Sequence, residues 1–145
     1  MNTTEPLRSA DRSLDWLLEN LRERTPGLEH ALVLSNDGLK MCFTSDLSVD
    51  NADQLAAVSA GIQSLALSAS VEFGDGQGSG QAMVEFSGGM LLVVEAGAGA
   101  HLAGVAAQDA DVGIVAHNMN ELVEQIGGHL TAAPRQNTAA GSEMP

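Results

Sequence analysis

Apolar residues recur along the chain at two spacings, and the change from one to the other predicts the order of its elements. Near the N-terminus they repeat at three and four, as on one face of a helix: Leu14, Leu17, Leu18 and Leu21. Asp11 or Ser13 is the predicted cap, and the step at 25–27 (Thr-Pro-Gly) ends the helix. Two apolar runs, 30–35 and 39–44, follow it and flank Asn-Asp-Gly, which predicts a β-hairpin.

The region 50–71 has the pattern of a second helix, with Ser48 or Asp50 as its cap. One side forms a large apolar stripe, which consists of Leu55, Val58, Ile62, Leu65 and Ala69. Beside it lies a small-residue stripe, which consists of Ala57, Ala60, Gly61, Ser64 and Ser68. We expect the large stripe to pack on the sheet and the small one to allow close approach of a second copy of the chain. A mildly apolar solvent face is the alternative interpretation of the small stripe.

A glycine-rich loop at 74–80 precedes three predicted strands, at 81–86, 90–96 and 100–107. Short glycine turns join these strands into tight antiparallel hairpins. The middle strand lacks polar alternation, so both of its faces should be covered. The economical packing is an α/β (α+β) domain with three layers, in which a five-stranded antiparallel sheet lies between helices.

A last helix is predicted from Val112 to Leu130, capped by Asp109 or Asp111. Its buried stripe consists of Val112, Val115, Met119, Leu122, Val123, Ile126 and Leu130. Beyond it, Ala, Pro, Gly, Ser and Thr dominate without periodicity. The predicted organisation is a flexible segment at 1–10, one domain at 11–130 and a disordered tail at 131–145.

Acidic residues outnumber basic ones by 19 to 6, for a net charge of −13. Five of the six basic residues precede Met41. Such a field disfavours nucleic acid and anionic lipid, and it favours a basic partner surface, although solubility alone would also explain it. Cys42 is the single cysteine, and neither a signal peptide nor a membrane-spanning run is present. A cytoplasmic location is therefore expected.

Catalytic and cofactor patterns find no support in this sequence, so the chain is predicted not to be an enzyme. The loop at 74–80 lacks the spacing and the lysine of a phosphate-binding loop. The histidines are scattered without metal-ligand spacing, so no metal or cofactor is expected. The pair Asp109 and Asp111 is explained by helix capping. Trp16 lies off the leucine face and either closes the first helix onto the sheet or contacts a partner.

This order of elements resembles the roadblock/dynein light chain fold, a relative of profilin and longin domains. The stretch 14–18 with Thr-Pro-Gly at 25–27 is similar to the family's first helix and its exit, and 30–39 is similar to its first strand with an Asp-Gly-Leu turn. The starts of the second and third helices are similar at 53–57 and 118–122. The resemblance covers 11–130 and is closest to actinobacterial members, which are encoded with a Ras-like GTPase and a sensor kinase.

The resemblance implies a homodimer in which the central helices pair and the sheets join edge to edge through the third strand. The interface candidates are Ala57, Ala60, Gly61, Ser64, Ser68, Gln81, Met83 and Glu85. It further implies binding of a Ras-like small GTPase, as a regulator or scaffold, and a connection to a sensor histidine kinase. No arginine lies between Arg24 and Arg135, so stimulation of a GTPase is expected to act by ordering the partner's own switch residues.

A small-molecule sensor module of the PAS or GAF type is the alternative. Such modules share a five-stranded antiparallel sheet with helices and enclose a ligand. The sequence disfavours this class because the sheet lacks the mixture of aromatic and polar residues that lines such pockets.

Overall fold

Seven helices and strands begin and end within the described residues, and an eighth element, the last helix, continues to residue 125, where the described residues end. The structure is a computed structural model that describes residues 4–97 and 99–125, with side chains from residue 14 onward. The elements in chain order are α1 (Thr4–Arg24), β1 (Leu28–Ser35), β2 (Lys40–Phe43), α2 (Val49–Phe73), β3 (Gln81–Phe86), β4 (Gly89–Glu95), β5 (Ala100–Ala107) and α3 (112–125).

The five strands form one antiparallel sheet in the order β2-β1-β5-β4-β3. The central strand β5 pairs with β1 from Leu28↔Ala106 to Ser35↔Ala100. Strands β2 and β3 are the two edges. The predicted fold class and the predicted tight hairpins are therefore confirmed.

The sheet separates two apolar layers, because side chains alternate between its faces. One face carries α1 and α3, whose leucines and Met119 pack with Val33, Leu92 and Leu102. The opposite face carries α2 over a smaller cluster that includes Leu32, Leu34, Leu91 and Val93. Cys42 is buried in the first layer.

Helix α1 begins earlier than predicted, at Thr4 and not near Asp11 or Ser13. Pro6 falls within its first turn, where a missing N–H donor carries no penalty. The domain boundaries at 1–10, 11–130 and 131–145 stay predictions. The predicted extension of the last helix to Leu130, and the tail after it, lie outside the described residues.

The structure shows which of the predicted residues cap α2 and α3. The Ser48 side chain accepts a hydrogen bond from Asn51 N at 3.1 Å and so caps α2. Asp111 Oδ1 accepts bonds from the backbone N of Gly113 and Ile114 at 3.0 and 3.2 Å. Asp111, and not Asp109, therefore caps α3.

The prediction for the faces of α2 is wrong in one respect. The residues that α2 buries on the sheet are Ala52, Ala56 and Ser59, which are all small. From the large apolar stripe, Leu55 and Ile62 are only half-buried against the sheet cluster. The sheet presents bulky side chains here, so small residues on the helix let the two layers interdigitate at close range. The large stripe is left on the flank of the helix.

Candidate interaction surface

The outer flank of α2 exposes large apolar side chains that a monomer would ordinarily bury. Val58 is 53% exposed and Leu65 is 72% exposed, and Phe73 at the end of the helix is 89% exposed. These residues line one side of the helix at helical spacing. Contiguous apolar exposure of this kind marks an interaction site.

A groove of about 700 Å³ runs between this flank and the outer part of the sheet. Leu55, Val58 and Ile62 form its helical wall, while Val84 and Phe86 of β3 form the opposite wall. Leu91 and Val105 also line it. The exposed apolar surface is thus continuous from α2 to the edge of the sheet. We refer to it as the α2–β3 surface.

Strand β3 is an edge whose side chains are exposed on both faces. It pairs with β4 from Gln81↔Val94 to Phe86↔Gly89 and has no strand on its other side in the described sheet. Met83 is 47% and Phe86 is 48% exposed. An apolar, unprotected edge of this length offers free backbone donors and acceptors to another strand.

The residues predicted for an interface lie beside this surface. On α2, Ala57, Gly61, Ser64 and Ser68 are exposed, and Ala60 is half-buried against the sheet. On β3, Gln81, Met83 and Glu85 are exposed, and their register with β4 places them on the α1 and α3 face of the sheet. A Cβ added at Gly61 meets nothing within 4 Å, so the small-residue stripe is open to a neighbour. Their role in an interface stays a prediction.

Sequence reasoning missed the large residues as surface candidates: Val58, Leu65, Val84 and Phe86. The signal was present, because α2 carries two apolar stripes and a helix on a sheet covers only one of them. Trp16 of α1 is 66% exposed and does not close its helix onto the sheet. The first of the two interpretations is therefore wrong, and contact of Trp16 with a partner stays a prediction.

An ion-pair cluster fixes α1 to the segment that precedes α2. Arg22 pairs with Glu19 at 2.7 Å and with Asp46 at 3.0 Å, and His30 Nδ1 lies 3.2 Å from Asp46. Partial burial raises the pKa of Asp46, but hydrogen bonding and charge from His30, with Arg22, outweigh it and hold the pKa below its ordinary value. Likewise, bonds from Ser45 and Arg22 overcome burial and lower the pKa of Glu19. Both carboxylates stay ionised and hold the loop.

The glycine-rich loop directs its backbone donors at the protein's own acid. Ser79 N donates to Glu95 Oε2 at 2.6 Å and Gly80 N donates to the same oxygen at 3.4 Å. These donors are thus engaged by a carboxylate of the chain. Among the described residues, no group of three or more His, Cys, Asp or Glu is placed to hold a metal ion.

Helix α2 is, by length and hydropathy, the one described helix that could cross a membrane. Its hydropathy comes largely from alanines and from the exposed large stripe. The cap at Ser48 and the packing of Ala52 and Ala56 place it within the domain. The absence of membrane insertion stays a prediction.

Comparison with known proteins agrees with this architecture. The family model for the Roadblock/LC7 domain matches residues 14–106. A Roadblock/LC7 domain from Streptomyces avermitilis is 38% identical, with a TM-score of 0.77, and the match covers 81% of this chain and 97% of that one. No match is found among curated protein sequences.

More distant structures share the fold alone. The gliding protein MglB from Thermus thermophilus is 19% identical, with a TM-score of 0.75 over 85% of this chain and 92% of that one. Profilin II from Acanthamoeba castellanii is 16% identical, with a TM-score of 0.56 over 77% and 94%. Since the family model covers well over half of the chain and the Streptomyces domain matches most of it, this chain belongs to the Roadblock/LC7 domain family.

Proposed function

We propose that this chain is a non-catalytic homodimeric regulator or scaffold that binds a Ras-like small GTPase in a bacterial signalling system. The observation that carries the proposal is the α2–β3 surface, in a chain of the Roadblock/LC7 family. A sensor histidine kinase is a further partner within the proposal, and the site of action is the cytoplasm. The PAS or GAF alternative loses its basis, because the fold and family are those of Roadblock/LC7.

The apolar surface supports the dimer part of the proposal. Val58, Leu65 and Phe86 lie on one continuous side of the molecule, and β3 adds an unpaired edge there. A second copy would cover both, because helix pairing and strand pairing are compatible with one two-fold axis. Burying such side chains stabilises association by about 25 cal/mol per Å² of apolar area, before the cost of association.

Charge supports the choice of a partner with a basic surface. Each of the basic side chains described after residue 13 already pairs with an acid: Arg22 with Glu19 and Asp46, Arg24 with Glu121, and Lys40 with Asp53. The remaining acids give the surface its negative field. Complementary potentials speed encounter with a basic partner.

The dimer is tested by Leu65→Glu, with Leu39→Glu as the matched control. Both leucines are exposed, at 72% and 64%, but only Leu65 lies on α2, while Leu39 lies at the β1–β2 turn. Light scattering coupled to size-exclusion chromatography should show a dimer for the wild type and for Leu39→Glu, and a monomer for Leu65→Glu. A wild-type monomer, or a Leu65→Glu dimer of undiminished stability, would contradict the proposed interface.

The partner is tested by affinity capture from lysate of the source cell, with GDP or a non-hydrolysable GTP analogue added. The expected result is enrichment of a small GTPase in one nucleotide state. Recovery of a kinase or other proteins without any GTPase would replace the proposal with a general scaffold. Leu65→Glu as bait shows whether capture depends on the dimer.

A further inference from the structure

A second cleft, of about 310 Å³, lies on the same face of the sheet but away from the α2–β3 groove. Its roof is the C-terminal half of α2 and the loop 74–80, and its floor is the β4–β5 hairpin. Asn36, Gln63, Gln77, Ser79, Glu95 and His101 place polar groups along it. All of these residues come from the same chain.

His101 is the buried polar group in this cleft. It is only 4% exposed, and neither ring nitrogen has a hydrogen-bond partner among the described residues. Burial lowers the pKa of His101, against a smaller opposing effect of Glu95. The ring is therefore neutral at pH 7, with one acceptor nitrogen and one N–H donor. Leaving such a group unpaired is unfavourable, so a ligand that meets it gains binding energy from the new hydrogen bond.

Glu95 stands beside His101 as its cross-strand partner, so both side chains lie on the same face of the sheet. Its Oε2 accepts bonds from Ser79 N at 2.6 Å, Ser79 Oγ at 3.0 Å and Gly80 N at 3.4 Å. A Cβ at Gly78 would lie 2.5 Å from the same oxygen, so a larger residue there would displace the carboxylate. The loop therefore holds the carboxylate in one position through a single oxygen.

The lining of the cleft defines the chemistry of its ligand. The Glu95 carboxylate is the one charged group among the described residues that line it, while neutral His101 and the side-chain amides of Asn36 and Gln63 offer both donors and acceptors. No lysine or arginine is among the described residues that line it. An anion would meet the carboxylate without compensation, whereas a cation with N–H donors would satisfy it.

We propose that this cleft binds a small organic cation that bears N–H donors, of the amine, amidine or guanidine class, between Glu95 and His101. The volume corresponds to roughly ten water molecules, which limits the ligand to about that number of heavy atoms. The cation pairs with Glu95, and it donates to the acceptor nitrogen of His101, which is buried in the unliganded chain, once the ring turns toward the cleft. Gln63 and Asn36 accept the remaining N–H groups.

The test is an NMR titration of the full chain with methylguanidinium chloride and, separately, with propylammonium chloride. Tetramethylammonium chloride is the control, because it has the same charge and no N–H donor. We expect saturable shifts of the Ser79 and Gly80 amides and of the His101 ring nitrogens with at least one donor-bearing probe. The control should produce none. Equal shifts with all three salts, or no saturable shift, would overturn the proposal.

Glu95→Gln and Glu85→Gln form the matched pair of variants. Both remove one negative charge from an exposed glutamate, but Glu85 lies on β3, outside the cleft. Glutamine at 95 keeps an oxygen for the Ser79 bond. We expect at least tenfold weaker binding in Glu95→Gln and unchanged binding in Glu85→Gln. Equal weakening in both would show attraction by net charge alone and would reject the site.

Discussion

Gly27 shows how a single residue fixes the junction between α1 and β1. Its φ is +88°, a conformation that side chains other than glycine rarely adopt, and its carbonyl accepts a hydrogen bond from Ala107 N at 2.8 Å. A Cβ at this position would lie 2.5 Å from Ala110 Cβ, which is closer than real contacts allow. Backbone strain and crowding therefore act at the same residue.

We predict that Gly27→Ala lowers the free energy of unfolding by about 1–3 kcal/mol. Gly61→Ala is the control, because Gly61 lies within α2 and an added Cβ meets nothing within 4 Å of the same chain. Because Gly61 is also an interface candidate, both substitutions are compared in the Leu65→Glu variant, which is expected to be a monomer. Alanine at 61 should raise the stability of one chain by about 0.5–1 kcal/mol through helix propensity. Chemical denaturation at a fixed protein concentration measures both changes. Equal effects of the two substitutions would show that the geometry at Gly27 is not decisive.

His101 is expected to make the free energy of unfolding depend on pH. Its pKa is lowered by burial in the folded chain, so the unfolded chain binds the extra proton first as the pH falls. Stability is therefore lost on acidification below the ordinary histidine pKa of about 6.5, with a slope of at most about 1.4 kcal/mol per pH unit. Glu95 opposes the shift and reduces the loss.

The measurement compares unfolding free energies of the wild type and of His101→Gln at about pH 8 and about pH 5. The wild type should lose more stability than the variant over this interval. The remaining groups titrate in both proteins, so the difference reports on His101. A larger loss in the variant would mean that protonated His101 stabilises the fold.

Among the elements, β3 is the one whose environment the proposed dimer would change most. Its side chains are exposed on both faces, and one of its two backbone edges has no neighbouring strand in the described sheet. If two sheets join there, the outward amides of β3 become hydrogen-bonded in the dimer. We predict slower amide hydrogen exchange for β3 in the wild type than in the Leu65→Glu monomer.

Strand β2 is the control for this exchange measurement, since it is the opposite edge of the same sheet. Its amides should exchange at the same rate in the wild type and in the variant. Slower exchange of β2 and not of β3 in the dimer would mean that the two sheets pair through β2, and would contradict the proposed pairing through β3. Equal rates for both edges in both proteins would reject edge-to-edge pairing.

The elements also show what the sequence can predict. The hairpin turns were located because Gly38, Gly88 and Gly97 take positive φ, so glycine marks them in the sequence. The assignment of the faces of α2 failed, because periodicity finds the stripes of a helix but not which stripe meets the sheet. That choice depends on the bulk of Leu32, Leu91 and other sheet residues, which come from distant parts of the chain.

At the scale of the whole molecule, the cleft between Glu95 and His101 was beyond prediction for a similar reason. Its groups come from the first hairpin, α2, the glycine-rich loop and β4–β5, and only the strand register brings them together. Family resemblance, in contrast, made the fold predictable, because the pattern of turns and apolar runs is local. The interface candidates were predictable in part, more than the cleft and less than the fold. The structure shows all of them except Ala60 exposed, and their role in an interface stays a prediction.

The distribution of arginine over the whole molecule leads to the last prediction. Arg24 ends α1 and lies 3.6 Å from Glu121 of α3, on the opposite side of the sheet from α2. Arg22 is held by Glu19 and Asp46. Arg22 and Arg24 are the arginines whose side chains lie among the described residues, and both already pair with acids of this chain. If the proposed partner is stimulated, the effect should come from ordering of its own switch residues.

We therefore predict that Arg24→Ala changes the single-turnover rate of GTP hydrolysis by the captured GTPase by less than about twofold relative to the wild-type regulator. Loss of an arginine finger would lower that rate by about 10³–10⁵-fold. Arg22→Ala is expected to lower the melting temperature, because the ion pairs of Arg22 hold α1 to the loop before α2. Assayed well below that temperature, this variant should likewise retain the stimulated rate. A collapse of the rate in Arg24→Ala, with binding of the GTPase intact, would instead place that guanidinium at the transferred phosphate.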